Sequence, residues 1–165
     1  PEELSRDLTP TAPVVAQVLA EEEANGHGPF DAILLLQVTA PLREPWHVEQ
    51  AIAALRDDVN TVISVAEMRD LHPARMYSMA EGNALVSLMP ELEVARRQDI
   101  PPVYYRNGSI YLVRRSAFDA SGSLMAKPSI GYVMDDRYLL NIDEPRDMLI
   151  ADVLMAELQR ERACE

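Results

Sequence analysis

Residues 31–37 read Asp-Ala-Ile-Leu-Leu-Leu-Gln, an unbroken apolar run that opens and closes on polar side chains. A strand with one wet face alternates apolar and polar residues. A run without alternation suits a strand covered on both faces, as strands inside parallel sheets are. Patterns of helical spacing flank it, and Thr61-Val62-Ile63-Ser64-Val65 reads as a second buried strand. The two strands with a helix over 46–56 between them, apolar at Val48, Ile52 and Leu55, form a βαβ unit of right-handed crossover. The chain is therefore expected to be α/β, with its ligand at the loops that leave the strand ends.

The rest of the chain fits that frame. Thr9 is expected to cap a first helix, with Pro10 at its first position and Asn25-Gly26 at its end. Residues 76–79 and 85–88, joined across Glu81-Gly82-Asn83, read as an antiparallel hairpin. The charged stretch 90–102 lacks periodicity and reads as an extended arm. A strand over 110–113, a short helix near 115–120, a strand at 132–134 and a long helix over 145–162 complete the order. The aliphatic residues of that helix and the methionines are expected in the core, Trp46 to pack the first helix onto the sheet, and Arg114-Arg115 to form a solvated rim. No repeat or composition shift marks a second domain, so residues 1–165 are read as one.

Composition removes several function classes. A net charge of −12 argues against nucleic acid, which demands a basic face. No apolar run is long enough to span a bilayer and no signal peptide is visible, so no membrane role and a cytoplasmic setting are expected. The lone Cys164 excludes an internal disulfide, and His27, His47 and His72 lack the spacing of a zinc site. Lys127 is the only lysine, so any anion must meet arginine.

One segment concentrates such chemistry. Arg96-Arg97-Gln98-Asp99 is followed by Pro101, Tyr104-Tyr105 and Asn107-Gly108-Ser109-Ile110-Tyr111. Guanidinium forks match carboxylates and phosphates in bidentate geometry, while Asn-Gly is a strong turn signal ahead of a strand. The segment reads either as a cradle for a polar anionic ligand or as a solvated basic patch beside a hairpin.

The order of three motifs resembles the N-acylneuraminate cytidylyltransferases, or CMP-sialic acid synthetases. Gln37-Val38-Thr39-Ala40-Pro41-Leu42-Arg43 stands for that family's Gln-Pro-Thr-Ser-Pro-Leu-Arg. The Arg96 to Tyr111 segment stands for Arg-Arg-Gln…Tyr…Asn-Gly-x-Ile-Tyr, and Asn141-Ile142-Asp143 for Asp-Ile-Asp. Val38 and Ala40 depart from the pattern, and so does Asn141. The family's Gly/Ser/Lys-rich loop for the triphosphate of CTP has no counterpart in the sequence, which reads as an N-terminally truncated fragment or as a remnant without that half.

The resemblance implies a three-layer, Rossmann-like, mainly parallel sheet of the nucleotide-diphospho-sugar transferase type. A hairpin and dimerisation arm at about 74–106 would be inserted in it, and the protein would be a homodimer. It implies attack by the 2-hydroxyl of a nine-carbon acid sugar on the α-phosphate of CTP, with Mg2+ as cofactor. The resemblance gives Asp143, with Asn141, as metal ligand. Arg97 would meet an anionic group, and Gln37, Thr39, Gln98, Tyr104 and Asn107 would contact substrate. From the residues themselves Thr39 reads as a loop former more than a substrate contact and Asn107 equally as a turn residue, while the resemblance sets Asp143 as metal ligand ahead of helix cap. Among sugars, N-acetylneuraminic, legionaminic and pseudaminic acids stay open, and Kdo ranks last. A catalytically incomplete protein that binds sugar or a partner subunit without turnover is the competing reading.

Overall fold

The computed structural model describes residues 1–6, 8–68 and 70–163, so Cys164 lies outside the described residues. Helix α1 spans Thr11–Ala24, strand β1 Ala32–Leu35, helix α2 Pro45–Ala53 and strand β2 Thr61–Met68. Strands β3 (Tyr77–Met79) and β4 (Leu85–Ser87) follow, then β5 (Val103–Arg114), α3 (Arg115–Ser121), β6 (Ser129–Met134) and α4 (Pro145–Ala163). Four strands form one sheet in the order β1-β5-β2-β6, and β3 pairs with β4 as a separate hairpin.

The sheet is mixed. β5 runs antiparallel to both β1 and β2, while β2 and β6 are parallel. Three strands thus share a direction and β5 opposes them, wedged between the two strands of the expected βαβ unit. The run at 31–37 is covered on both faces as expected. Ile33 packs with Val113, Phe118 and Ala126 under α1 and α3, whereas Ala32 and Leu34 join Val62, Ile110 and Leu112 under α2. Helix, sheet and helix form three layers. Val62 and Ile110 are wholly buried. Each such side chain stabilises the fold by roughly 1.5–3 kcal/mol.

Several local expectations are corrected. Thr9 does not cap α1, because its hydroxyl donates to the Glu3 carbonyl (3.1 Å) and Pro10 is the cap residue. Asn25 and Gly26 (φ +85°) do end that helix. On α2 it is Ala51, not Ile52, that is buried, and Trp46 lies against His47 and Tyr138 rather than on the sheet. The charged stretch 90–102 carries 3-10 turns at Pro90–Leu92 and Arg97–Asp99. Arg114 is no solvated rim, since its guanidinium donates to the carbonyls of Arg56 (2.7 Å), Val59 (2.9 Å) and Leu55 (3.3 Å). Arg115 is held between Glu23 and Asp119.

The largest correction concerns Asn107-Gly108. These residues do not join two strands; they lie within β5. The β2–β5 register passes from Ile63↔Tyr111 to Val65↔Arg106, so that Asn107 to Ile110 bulge opposite Ser64. Gly108 takes φ +75°, where a side chain is strained.

Candidate active site

The loop after β1 carries Gln37. It is pinned by Arg43, whose Nη1 donates to the carbonyls of Gln37 (2.8 Å) and Ala40 (2.7 Å). Burial lowers the pKa of this arginine, though the guanidinium stays charged. Arg43, the end of the first motif, is thus a structural clamp. The Thr39 carbonyl accepts from the Ile142 N–H (2.8 Å), which ties this loop to the one before α4 and sets Asn141 beside Gln37.

The β5 bulge closes the third side. Asn107 is buried, and its Oδ1 accepts from the Ser64 hydroxyl (2.6 Å) and from the Ser109 N–H (3.2 Å). Ser64 in turn accepts from the Ile110 N–H (2.7 Å). This buried network supplies the polar partners that the missing ladder bonds would otherwise provide. It also brings Gly108 against the Gln37 side chain: a Cβ at Gly108 would stand 2.8 Å from Gln37 Oε1 and 3.7 Å from Asn141 Oδ1.

Gln37, Asn107 and Asn141 therefore share a cavity of about 190 Å3, with Tyr105 and Arg106 in its wall. Asn141 and Tyr105 also line a larger neighbouring cavity of about 690 Å3, with Asp143 and the apolar Leu71, Met76 and Ile150. Asn141 Nδ2 donates to Asp143 Oδ2 (2.5 Å). Asp147, in the first turn of α4, reaches back to the two residues before the helix. Its Oδ2 accepts from the N–H groups of Asp143 (3.0 Å) and Glu144 (2.9 Å), and these bonds hold the Asp147 carboxyl below its ordinary range. The Asp143 carboxylate is left facing the cavity.

The remaining sequence candidates fall elsewhere. Arg97, Gln98 and Tyr104 line a third cavity of about 500 Å3, with Glu67, His72 and Arg75. Met68 is common to this cavity and the one holding Asp143. Arg97 pairs with Asp70 (2.9 Å), and Arg96 with Asp99 (2.7 Å). His72 is spent on structure, accepting from the Ala74 N–H and bonding the Pro101 carbonyl (2.9 Å). Of the adjacent tyrosines, Tyr105 and not Tyr104 reaches the Gln37 cavity. Arg106, absent from the sequence reading, reaches it too; its only sequence signal is its place immediately before Asn107.

In this three-layer α/β domain, two loops and the bulged strand β5 bring amide, phenol, guanidinium and carboxylate groups around two adjoining cavities, the kind of setting in which polar ligands bind. Comparison with known proteins sharpens the class. No family model matches the chain. The N-acylneuraminate cytidylyltransferase of Streptococcus agalactiae serotype V is 28% identical over 148 residues, covering 89% of this chain and 34% of that protein. The CMP-N,N'-diacetyllegionaminic acid synthase of Legionella pneumophila is 30% identical over 135 residues, 80% of this chain and 56% of that protein. A post-translational flagellin modification protein B of Campylobacter coli is 24% identical across 93% of this chain. Over most of its length the chain is thus similar to proteins named as N-acylneuraminate cytidylyltransferases. It spans about a third of the length of the streptococcal relative.

Proposed function

We propose that the chain carries the sugar-side half of a cytidylyltransferase site that joins CMP from CTP to a sialic-acid-like, nine-carbon acid sugar. The observation that carries this reading is the meeting of Gln37, Gly108 and Asn141 at one cavity, since each comes from a different one of the three motifs that resemble the family. In the reaction the 2-hydroxyl oxygen of the sugar attacks the α-phosphorus. The bond to the bridging oxygen breaks, and pyrophosphate leaves with the electron pair. Such transfers depend on positioning and charge neutralisation rather than on covalent help from the protein.

Gln37 and Asn141 offer amide groups to the sugar's hydroxyl and acyl groups. Asn107 acts through the bulge, holding Gly108 so that the Gln37 side chain has room. Thr39 works through its carbonyl, which fixes the loop. Asp143 and the Asn141 carbonyl are hard oxygen donors suited to Mg2+. Among the described residues no cluster of three or more His, Cys, Asp or Glu side chains exists to cage a metal. One carboxylate and an amide nonetheless fit an ion shared with substrate phosphates. Bound there, Mg2+ would neutralise charge on the phosphates.

Arg97, Gln98 and Tyr104 stand in a separate cavity of the same chain, which supports a homodimer in which this arm serves a second copy. The apolar hairpin that precedes the arm supports it too. The competing reading is a protein that binds sugar without transfer, and Asn141 in place of an aspartate favours it.

Pyrophosphate release from CTP, Mg2+ and a panel of nine-carbon acid sugars tests the proposal. Release with one sugar, reduced at least about 100-fold by Asp143→Asn, is the expected outcome. Folded protein that binds a sugar without releasing pyrophosphate would establish the non-transferring reading instead.

A further inference from the structure

Among the described residues Arg106 is the cation lining the Gln37 cavity, and the three motifs leave it without a role. Three other arginines near the site are engaged: Arg97 by Asp70, Arg146 by Glu144 and Asp147, Arg43 by two backbone carbonyls. Arg106 has no carboxylate within ion-pair distance among the described residues. Its guanidinium lies 5.8 Å from the centroid of the Tyr111 ring, and Nη1 donates to the thioether of Met125 (2.7 Å). A thioether is a weak acceptor, so most of the five guanidinium N–H groups lack a strong partner. The aromatic face and the thioether fix the head of the side chain without neutralising it. An arginine presented in this way is a receptor for an anion.

Three features favour a carboxylate over a phosphate. The cavity is about 190 Å3, room for a carboxylate and the carbon that bears it, while the neighbouring cavity takes the rest of a sugar. The other polar walls, Gln37, Asn141 and Tyr105, are neutral and suit hydroxyl and acyl groups. Asp143, hydrogen-bonded to Asn141, repels a second dense anion. Resting on the acid-sugar reading above, we infer that Arg106 receives the carboxylate of the sugar in a bidentate pair, and so sets which end of the molecule enters the Gln37 cavity. Arg97, held by Asp70 in another cavity, does not perform this task within the same chain.

The test uses the chain as it stands and measures equilibrium binding rather than turnover. N-Acetylneuraminic and N,N'-diacetyllegionaminic acids are titrated beside their methyl esters, and CTP is titrated separately, into wild type, Arg106→Gln and Arg106→Lys. Wild type should bind at least one acid about 10- to 100-fold more tightly than its ester, the scale of a hydrogen-bonded charge. Arg106→Gln should abolish that ratio and leave the ester affinity and thermal midpoint unchanged, with Arg106→Lys between the two. A purely structural arginine would not govern the acid-to-ester ratio. Persistence of the ratio in Arg106→Gln overturns the inference, as does weakened CTP binding with the ratio intact. Equal binding of acid and ester by wild type overturns the inference and leaves the acid-sugar site standing. Binding of no sugar in either form removes both.

Discussion

Ser64 shows how much of this site depends on one hydroxyl. It donates to Asn107 Oδ1 and accepts from the Ile110 N–H, so it replaces the ladder bonds that the bulge in β5 gives up. Ser64→Ala strips a buried N–H of its acceptor and is expected to destabilise the fold by about 1–3 kcal/mol, read from thermal or urea unfolding. Gly108→Ala is a different experiment on the same bulge. At φ +75° the added methyl costs about 1–2 kcal/mol, and it must also displace the Gln37 amide, which stands 2.8 Å from the new Cβ. Sugar affinity should therefore fall in Gly108→Ala by more than its stability loss explains, whereas an unchanged affinity would detach Gln37 from the site. The bulge was not legible in the sequence. Local rules favour a hairpin turn at Asn-Gly, and only Ser64, distant in the chain, turns the pair into a kink within one strand. Gln37, Asn107 and Asn141 were legible as motif positions. Tyr105 and Arg106 were not, because side-chain alternation around a bulge cannot be counted from the sequence alone.

At the scale of elements, the entry to α2 ties the helices on either side of the site loops. Glu44 accepts from the first turn of α2, and its own N–H donates to His47 Nδ1 (2.9 Å) in a capping box. Arg162, near the end of α4, pairs with the Glu44 carboxylate, so one buried acid joins the start of α2 to the last turn of α4. His47 is buried, with the Tyr138 ring at 4.5 Å, and that burial pushes its pKa below the usual 6.5. The unfolded chain then binds a proton that the folded one refuses, so this contribution is whole above about pH 6.5 and shrinks as pH falls toward the folded pKa. Stability should drop on acidification by up to about 1.4 kcal/mol per pH unit more in wild type than in His47→Gln, as urea titrations between pH 7.5 and about pH 5 would read. A parallel pH dependence in both proteins would mean that His47 does not titrate in this window. Elements with strong periodicity were legible in the sequence, α2, β2 and α4 among them. Their buried faces were less so, since Ala51 replaces Ile52 in the core and Met148, Leu149, Ile150 and Val153 of α4 face solvent.

At the scale of the molecule, one continuous stretch of exposed apolar side chains lies on the β3–β4 hairpin. Tyr77, Met79, Leu85 and Val86 of the β3–β4 hairpin are all at least 43% exposed, and Leu88 follows them. A two-stranded hairpin is marginal by itself, and its open edges invite pairing. The α/β layering was legible because it follows from local patterns, but nothing local tells a covered hairpin from an uncovered one. A net charge of −12 makes two copies repel each other at long range. Any association must therefore rest on apolar burial and should tighten as salt screens the repulsion. Sedimentation at micromolar concentration is expected to give a dimer whose dissociation constant falls between 20 mM and 500 mM NaCl. Val86→Glu, which sets a carboxylate among these apolar side chains, should yield a monomer with an unchanged thermal midpoint. A wild-type monomer at both salt concentrations would remove the second copy from the site and leave the Arg97, Gln98 and Tyr104 cavity to a ligand of its own.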